Sequence, residues 1–367
     1  MDWSVKFVDF PKAFRRMEGD LMDTIREVLA NGDLIMRQQM IDFEQHLASF
    51  VGTGDAVGVS NCTDGLRLIL EAAGIGPGDE VITVAHTFVA TMAAIHHAGA
   101  SVVLVDVGDD HNMRVDHIEN AVTSRTKAIM PVHLNGRLCR MDQLMEVANS
   151  HGLLVIEDSA QALGASFLGI SGGAWGLAGG FSFYPAKMLG AYGDAGAVVT
   201  SDRGLAQRLR GLRDHGRVSK TELSGWGYNC RLDNLQAAVL DLKLKCVHGW
   251  IRRRRQLAAM YDEALSGVKD LRLPPAPTDA GPHFDVFQNY VVEAEGRDAL
   301  IKHLTANGIE TLAPWSTPMH HQPLGLSKFR LPNTERLAAS ALSLPLTTEL
   351  EDEQVRFVAD TIRRFYS

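Results

Sequence analysis

The chain has 367 residues, of which 46% are hydrophobic and 22% charged, and its formal net charge is −8. That is the make-up of a globular protein with a sizeable core and about two domains. The acidic balance supplies no field for nucleic acid or an anionic membrane. No apolar run approaches the roughly 20 residues that cross a bilayer, and Met1-Asp2-Trp3-Ser4-Val5-Lys6 lacks the charged-then-apolar pattern of a secretory signal. The four cysteines, Cys62, Cys139, Cys230 and Cys246, are widely spaced with no Cys-x-x-Cys pair. Their spacing argues against zinc and against a disulfide framework, and favours the reducing cytoplasm.

In chain order, Met36, Met40, Phe43, Leu47 and Phe50 recur at helical spacing and predict a packed helix. Short apolar runs follow at residues 57–59, 81–84, 102–105, 128–132, 153–156, 180–183 and 197–200. Most are β-branched and continuous rather than alternating, as in a parallel sheet covered on both faces. Helical patterns lie between them, for example residues 141–150, with Leu144, Val147 and Ala148 on one face and Gly152 as a stop. Strand alternating with helix predicts an α/β fold with a mostly parallel sheet. Residues 250–261 read as a helix whose four arginines, 252–255, form a solvated face. Beyond a proline-punctuated loop (Pro274, Pro275, Pro277, Pro282), residues 287–293, 297–307 and 351–364 predict a second α+β unit. The expected division is a large domain over 1–250 and a small C-terminal domain over 251–367.

Two groups carry chemistry. Lys187 lies in an apolar, glycine-flanked segment, Gly180-Phe181-Ser182-Phe183-Tyr184-Pro185-Ala186-Lys187-Met188-Leu189-Gly190. Asp158 closes the apolar run Leu153-Leu154-Val155-Ile156-Glu157-Asp158. A lysine is by default a solvated surface residue, and an aspartate after a strand is often a helix cap. Together, an amine held from water and a carboxylate at a strand end are what pyridoxal phosphate (PLP) requires, one for the Schiff base and one for the pyridinium nitrogen. Ligands of open α/β sheets also sit at the carboxyl ends of strands. Gln161 is placed to meet the ring hydroxyl.

Val57-Gly58-Val59-Ser60-Asn61-Cys62-Thr63-Asp64-Gly65 reads as strand, turn and helix, with Thr63 or Asp64 as the cap. A helix start of this kind binds phosphate, and Ser182 adds a hydroxyl. Phe88, just past a strand, is the candidate to stack on a planar ring. Tyr184 and His320 are candidates for substrate contact. His320 and His321 stand side by side with no carboxylate next to them in sequence, which is weak support for a metal. Residues 172–180 are glycine-rich but lack dinucleotide spacing and precede a strand.

Several segments taken together resemble the nucleotide-sugar aminotransferases of the DegT/StrS type. They are Gly78-Asp79-Glu80-Val81, His86-Thr87-Phe88-Val89-Ala90-Thr91, Pro131-Val132-His133-Leu134, Glu157-Asp158-Ser159-Ala160-Gln161-Ala162, Ser182-Phe183-Tyr184-Pro185-Ala186-Lys187, Gly227-Tyr228-Asn229-Cys230-Arg231-Leu232-Asp233 and Ala341-Leu342-Ser343-Leu344-Pro345-Leu346. The resemblance implies the aspartate-aminotransferase-like fold (PLP fold type I) and a homodimer with sites at the interface. It makes Lys187 the Schiff-base lysine, Asp158 the pyridinium partner, Gln161 a ring contact and Phe88 the stacking aromatic. Cys62, Thr63 and Ser182 match the phosphate cradle, and Asn229 matches a phosphate ligand from the neighbouring subunit.

It further implies amino transfer from an amino acid, expected to be glutamate, through pyridoxamine phosphate to a keto group of a nucleotide-linked deoxysugar. Lys187-Met188-Leu189-Gly190-Ala191-Tyr192-Gly193-Asp194 is similar to the branch that aminates carbon 3. The alternatives are 4-keto-sugar amination, a pyridoxamine-dependent dehydratase, which the retained lysine disfavours, and a non-catalytic PLP-binding regulator. Cys62 and Ala195 stand where the family has glycine, and Asn135 where tyrosine is common.

Overall fold

The computed structural model describes residues 3–367. Helices α1 (Phe10–Asn31) and α2 (Gln38–Val51) lead into the chain's main sheet. Its strands are β1 (Asp55–Val59), β2 (Glu80–Val84), β3 (Ser101–Val105), β4 (Thr126–Ile129), β5 (Leu154–Asp158), β8 (Ala178–Ser182) and β9 (Gly196–Thr200). A small hairpin, β6 (Ser166–Phe167) and β7 (Ile170–Ser171), lies outside it. The order across the sheet is β1-β9-β8-β5-β4-β2-β3. Pairing is parallel from β8 through β3, and β9 alone runs antiparallel to both its neighbours. Six strands therefore end at the same edge.

The continuous apolar runs have the expected cause, because successive strand residues bury on opposite faces. Ala128, Ile156 and Val198 pack with α3 (Cys62–Ala72), α4 (Ala90–His97) and α6 (Arg203–Arg213). Ile129, Val155 and Val199 pack with α2, α5 (Met141–Ser150) and α7 (Asn234–Leu244). Met40, Phe43 and Leu47 fill the second of these layers from α2, as their spacing predicts. Met36 lies outside that helix in a left-handed conformation (φ 51).

Helix α8 (Val247–Leu265) joins this core to another. Val247 and Ile251 belong to the first core, whereas Leu257, Ala258, Tyr261 and Leu265 belong to the second. The rest of the second core comes from β12 (Tyr290–Ala294), α9 (Arg297–Ala306), β13 (Ala341–Leu344) and α11 (Asp352–Phe365), with the short strands β10 (Leu271–Arg272) and β11 (His283–Phe284) and helix α10 (Pro332–Ser340) in the connections. Val5 also packs there and bridges Ile309, so the N-terminal stretch crosses the expected division at 250. The arginine face of α8 differs from expectation too. Arg252 is exposed, but Arg254 is buried and its Nη1 donates to the carbonyls of Phe287, Gln288 and Leu346 at 3.2, 3.0 and 2.7 Å. Three carbonyls replace the water that the sequence reading assigned to it.

Glu157, fully buried beside Asp158, ties the glycine-rich loop to the sheet. Its carboxylate accepts from the backbone N–H groups of Gly173, Trp175 and Gly176 at 2.8, 2.8 and 2.9 Å, and from His133 Nε2 at 2.9 Å. His133 Nδ1 accepts from Cys139 N–H at 3.3 Å, which places the ring proton on Nε2. Removing the carboxylate leaves several donors unpaired in the interior. Glu157→Ala is expected to destabilise the fold by about 3–5 kcal/mol. The check is the shift of the urea midpoint at unchanged slope, and a loss under about 1 kcal/mol sinks the account.

Candidate active site

The carboxyl edge of the parallel strands carries the site. Asn61, Cys62 and Thr63 follow β1, Phe88 follows β2, Asp158 ends β5 and Ser182 ends β8. All of these line one cavity of about 610 Å³, together with Gln161, Tyr184 and Lys187. Eight of the ten residues singled out from sequence thus converge, although they come from positions 62 to 187.

Asp158 is buried. Its Oδ2 accepts from Thr91 Oγ1 at 2.7 Å and its Oδ1 from Ala160 N–H at 3.2 Å. Burial pushes its carboxyl up from the ordinary range, and the Thr91 bond pulls it back. Lys187 opens partly on the cavity, while protein surrounds its amine on the other sides. That burial lowers its affinity for a proton, against the opposing pull of Asp158 and then Cys62. The Cys62 thiol is pushed well up, by burial first and then by the Asp158 charge.

The cap of α3 is Asn61, neither Thr63 nor Asp64. Its Oδ1 accepts from Asp64 N–H at 2.8 Å, and its Nδ2 donates to Asp64 Oδ2 at 2.9 Å. Asp64 lies too far into the first turn to cap it. The N–H groups of Cys62 and Thr63 then have no acceptor among the described residues, and they sit at the positive end of the helix. Gly196 makes this approach possible, because a Cβ there would lie 2.5 Å from Asn61 C and 2.6 Å from Cys62 N. The Ser182 hydroxyl oxygen accepts from Tyr184 N–H at 3.3 Å, leaving its proton for a ligand.

These features fit PLP. An amine of lowered basicity, a buried carboxylate and a set of free helix-start donors face one cavity. Phe88 and Tyr184 are 62% and 54% exposed, so each has a face for a planar ligand. Gln161 Oε1 accepts from Asn135 N–H at 2.7 Å, which turns its Nε2 donor away from Asn135 and leaves it for another acceptor.

Two expected site residues do not line the cavity. Asn229 is exposed on a loop, where its neighbour Tyr228 donates to Glu71 Oε1 at 3.0 Å. His320 is buried, with Nε2 3.3 Å from Glu335 Oε1. That pairing draws the ring into the fold and away from the cavity lining, in contrast to the expected substrate contact. Glu335 also brings His321 within 3.6 Å, the partnered carboxylate that the sequence did not reveal. His320 Nδ1 has no hydrogen-bond partner. Metal ligation through Nε2 would strand a buried N–H there, so the trio reads as an imidazole–carboxylate cluster.

Sequence reasoning missed Thr91, Arg254, Gln288, Asn289 and Trp315. All but Thr91 line the cavity, and Thr91 holds Asp158 from behind. Thr91 had a signal, since it opens the first turn of a helix just after a strand end. The others arrive from the C-terminal third and carry none.

Comparison with known proteins agrees with this geometry. The model of the DegT/DnrJ/EryC1/StrS aminotransferase family matches residues 15–363. The chain is 40% identical over 370 residues to a protein of Geobacillus stearothermophilus named pleiotropic regulatory protein, covering 99% of each chain. It is also 40% identical over 366 residues to the dTDP-3-amino-3,4,6-trideoxy-alpha-D-glucose transaminase of Streptomyces venezuelae, covering 98% of this chain and 96% of that one. A crystal structure of S. venezuelae DesV in complex with a ketimine intermediate superposes with a TM-score of 0.95 at 39% identity, covering 99% and 98% of the two chains. The chain belongs to the DegT/DnrJ/EryC1/StrS aminotransferase family, whose members use pyridoxal phosphate.

Proposed function

We propose that this protein transfers an amino group from an amino acid, glutamate in the first instance, to the carbon-3 keto group of a nucleotide-linked deoxysugar. The observation that carries the reading is the convergence of Lys187, Asp158 and the free amides of α3 on one cavity. The name of the S. venezuelae relative supports carbon 3, and the segment 187–194 supports the same branch.

Bound PLP supplies an electron-accepting ring through which an amino group passes from donor to acceptor. Lys187 anchors it, then carries a proton as general base and acid. The lowered basicity of its amine keeps a neutral fraction available for both tasks. Asp158 would hold a proton at the ring nitrogen, and the bonds from Thr91 and Ala160 N–H favour its carboxylate form against the upward push of burial. The amides of Cys62 and Thr63 and the hydroxyl of Ser182 bind the phosphate. Gln161 would offer its free Nε2 donor to the ring, and Phe88 would supply an apolar face for it.

The same reading includes a homodimer. A loop over residues 214–229, bridged at Asp214–Asn229 and Arg217–Leu223, projects Trp226 at 98% exposure and Leu223 at 66%. Apolar surface of this kind marks an interface. Asn229 lies exposed at the base of that loop, and in this reading it serves a neighbour's phosphate site. We further assign two domains that meet within α8, and a cytoplasmic location suited to the four free thiols. No helix among the described residues is long and apolar enough to cross a membrane.

One observation favours a second reading. The Geobacillus relative is named a regulatory protein, so PLP binding without turnover is the competing function. Titration with glutamate decides between them. Conversion of the lysine-bound cofactor absorbance to that of pyridoxamine phosphate supports the transaminase, and no conversion with any amino acid supports the regulator.

Lys187→Ala is expected to abolish turnover and the lysine-bound absorbance, and an active variant refutes its role. Thr91→Val should weaken PLP binding on the order of tenfold, through loss of a hydrogen bond to a buried charge. Thr91→Ser should restore it, so equal losses in both variants, measured by fluorescence titration, count against the hydrogen bond. For Asn229, two inactive or impaired variants test the interface together. Mixed Lys187→Ala and Asn229→Ala subunits form one intact site if Asn229 serves its neighbour, and activity should rise on mixing. Activity that stays at the mean of the two parents removes the shared-site arrangement.

A further inference from the structure

Lys187 is held by very little of its own surroundings. Residues 184–190 lie between β8 and β9 in neither helix nor strand. The nearest ladder-like bonds are at the rim of that turn, Phe183 N–H to Ala195 O at 2.9 Å and Ala191 N–H to Phe183 O at 2.8 Å. Within the turn, Lys187 N–H donates to Tyr184 O at 2.8 Å. Such a segment has no regular pairing to fix the peptide planes on either side of the reactive lysine.

Both of those planes are gripped by one side chain. Gln288, buried just ahead of β12, accepts from Met188 N–H through Oε1 at 2.7 Å and donates from Nε2 to Ala186 O at 2.9 Å. The amide uses its acceptor and its donor on the two peptide groups that flank Lys187, as a β-bridge partner would. Gln288 is itself braced. Its carbonyl accepts from buried Arg254, and a Cβ on Gly136 would lie 2.7 Å from its backbone nitrogen, so the 134–136 turn packs directly behind it. The next residue does similar work at another part of the cavity lining. Asn289 Nδ2 lies 3.4 Å from both Gln161 Oε1 and Asn135 Oδ1, on the same Gln161 oxygen that accepts from Asn135 N–H.

We infer that Gln288 is a positioning residue for Lys187: its amide clasps the peptides on both sides of the lysine and so fixes where the amine stands over the cofactor, while Asn289 helps fix the Gln161 amide. The inference deepens the proposed function and rests on Lys187 as the attachment point. It makes the C-terminal third of the chain part of the active site without contact to the reacting atoms. A displacement of about 1 Å at a catalytic group costs on the order of a hundredfold in rate, so a clasp of two hydrogen bonds acts chiefly on kcat.

The test uses the full-length, PLP-loaded protein. Gln288→Met keeps the volume and removes both bonds, whereas Gln288→Glu keeps the acceptor for Met188 N–H and loses the donor to Ala186 O. Borohydride reduction and peptide mass spectrometry on the wild type come first, and an unmodified Lys187 there overturns the proposed function and this inference together. With Lys187 modified, three quantities are compared: the pH midpoint of the lysine-bound absorbance, the rate of the half-reaction with amino donor, and KM for the donor. The expected result is a moved midpoint and a half-reaction slowed about ten- to a hundredfold in Gln288→Met, an intermediate loss in Gln288→Glu, and KM within about twofold, since uniform binding is untouched. Wild-type midpoint and half-reaction in both variants, even with a lower melting temperature, would make Gln288 a purely structural residue and overturn the inference. Should Gln288→Met fail to fold, Gln288→Glu decides by the same two readouts.

Discussion

Six of the seven strands in the main sheet end at one edge, and the cavity that Lys187 and Asp158 line opens at that edge. Parallel strands present their carboxyl ends together, with the starts of the following helices turned towards the same space. The free amides at the start of α3, the exposed face of Phe88 and the carboxylate of Asp158 follow from this shared polarity. The reversed strand β9 returns the chain across the sheet, and the turn between β8 and β9 is where Lys187 stands.

Burial then decides the chemistry. A carboxylate and an amine enclosed by protein both tend towards their neutral forms. Burial is the largest influence on both. At Asp158 a hydroxyl and a backbone donor oppose it, and at Lys187 the charges of Asp158 and Cys62 do. An amine of lowered basicity and a carboxylate held by two donors are what amino transfer asks of these two groups. The neighbouring Glu157 performs a separate task, spending its oxygens on the N–H groups that anchor the glycine-rich loop.

The sheet itself could be read from residue order. Continuous β-branched runs separated by helical stripes leave few alternatives, and Asp158 and Phe88 inherit their places from where those runs stop. Lys187 was legible because an amine between phenylalanine, leucine and glycine has little reason to be on the surface. The cap of α3 was misplaced by two or three residues because Asn61, Thr63 and Asp64 are all capping types. Only the backbone of the preceding turn, which leaves Asn61 extended, selects among them. Arg254 misled in another way. It sits in a run of four arginines, yet the phase of α8 turns that one towards three carbonyls brought by distant segments.

What the sequence alone determined is the sheet, the polarity of its edge, and the residue types that meet a phosphate, a ring and an aldehyde, because these follow from local periodicity and from chemistry carried by single side chains. What only the tertiary structure decided is how those residues are held. The clasp of Gln288 about Lys187 and the contact of Asn289 with Gln161 join positions about a hundred or more residues apart. The withdrawal of His320 to Glu335 likewise depends on a helix that begins only after an intervening loop. Hydrogen bonds between segments so far apart leave no period or spacing along the chain, since their geometry exists only once both cores have packed around α8.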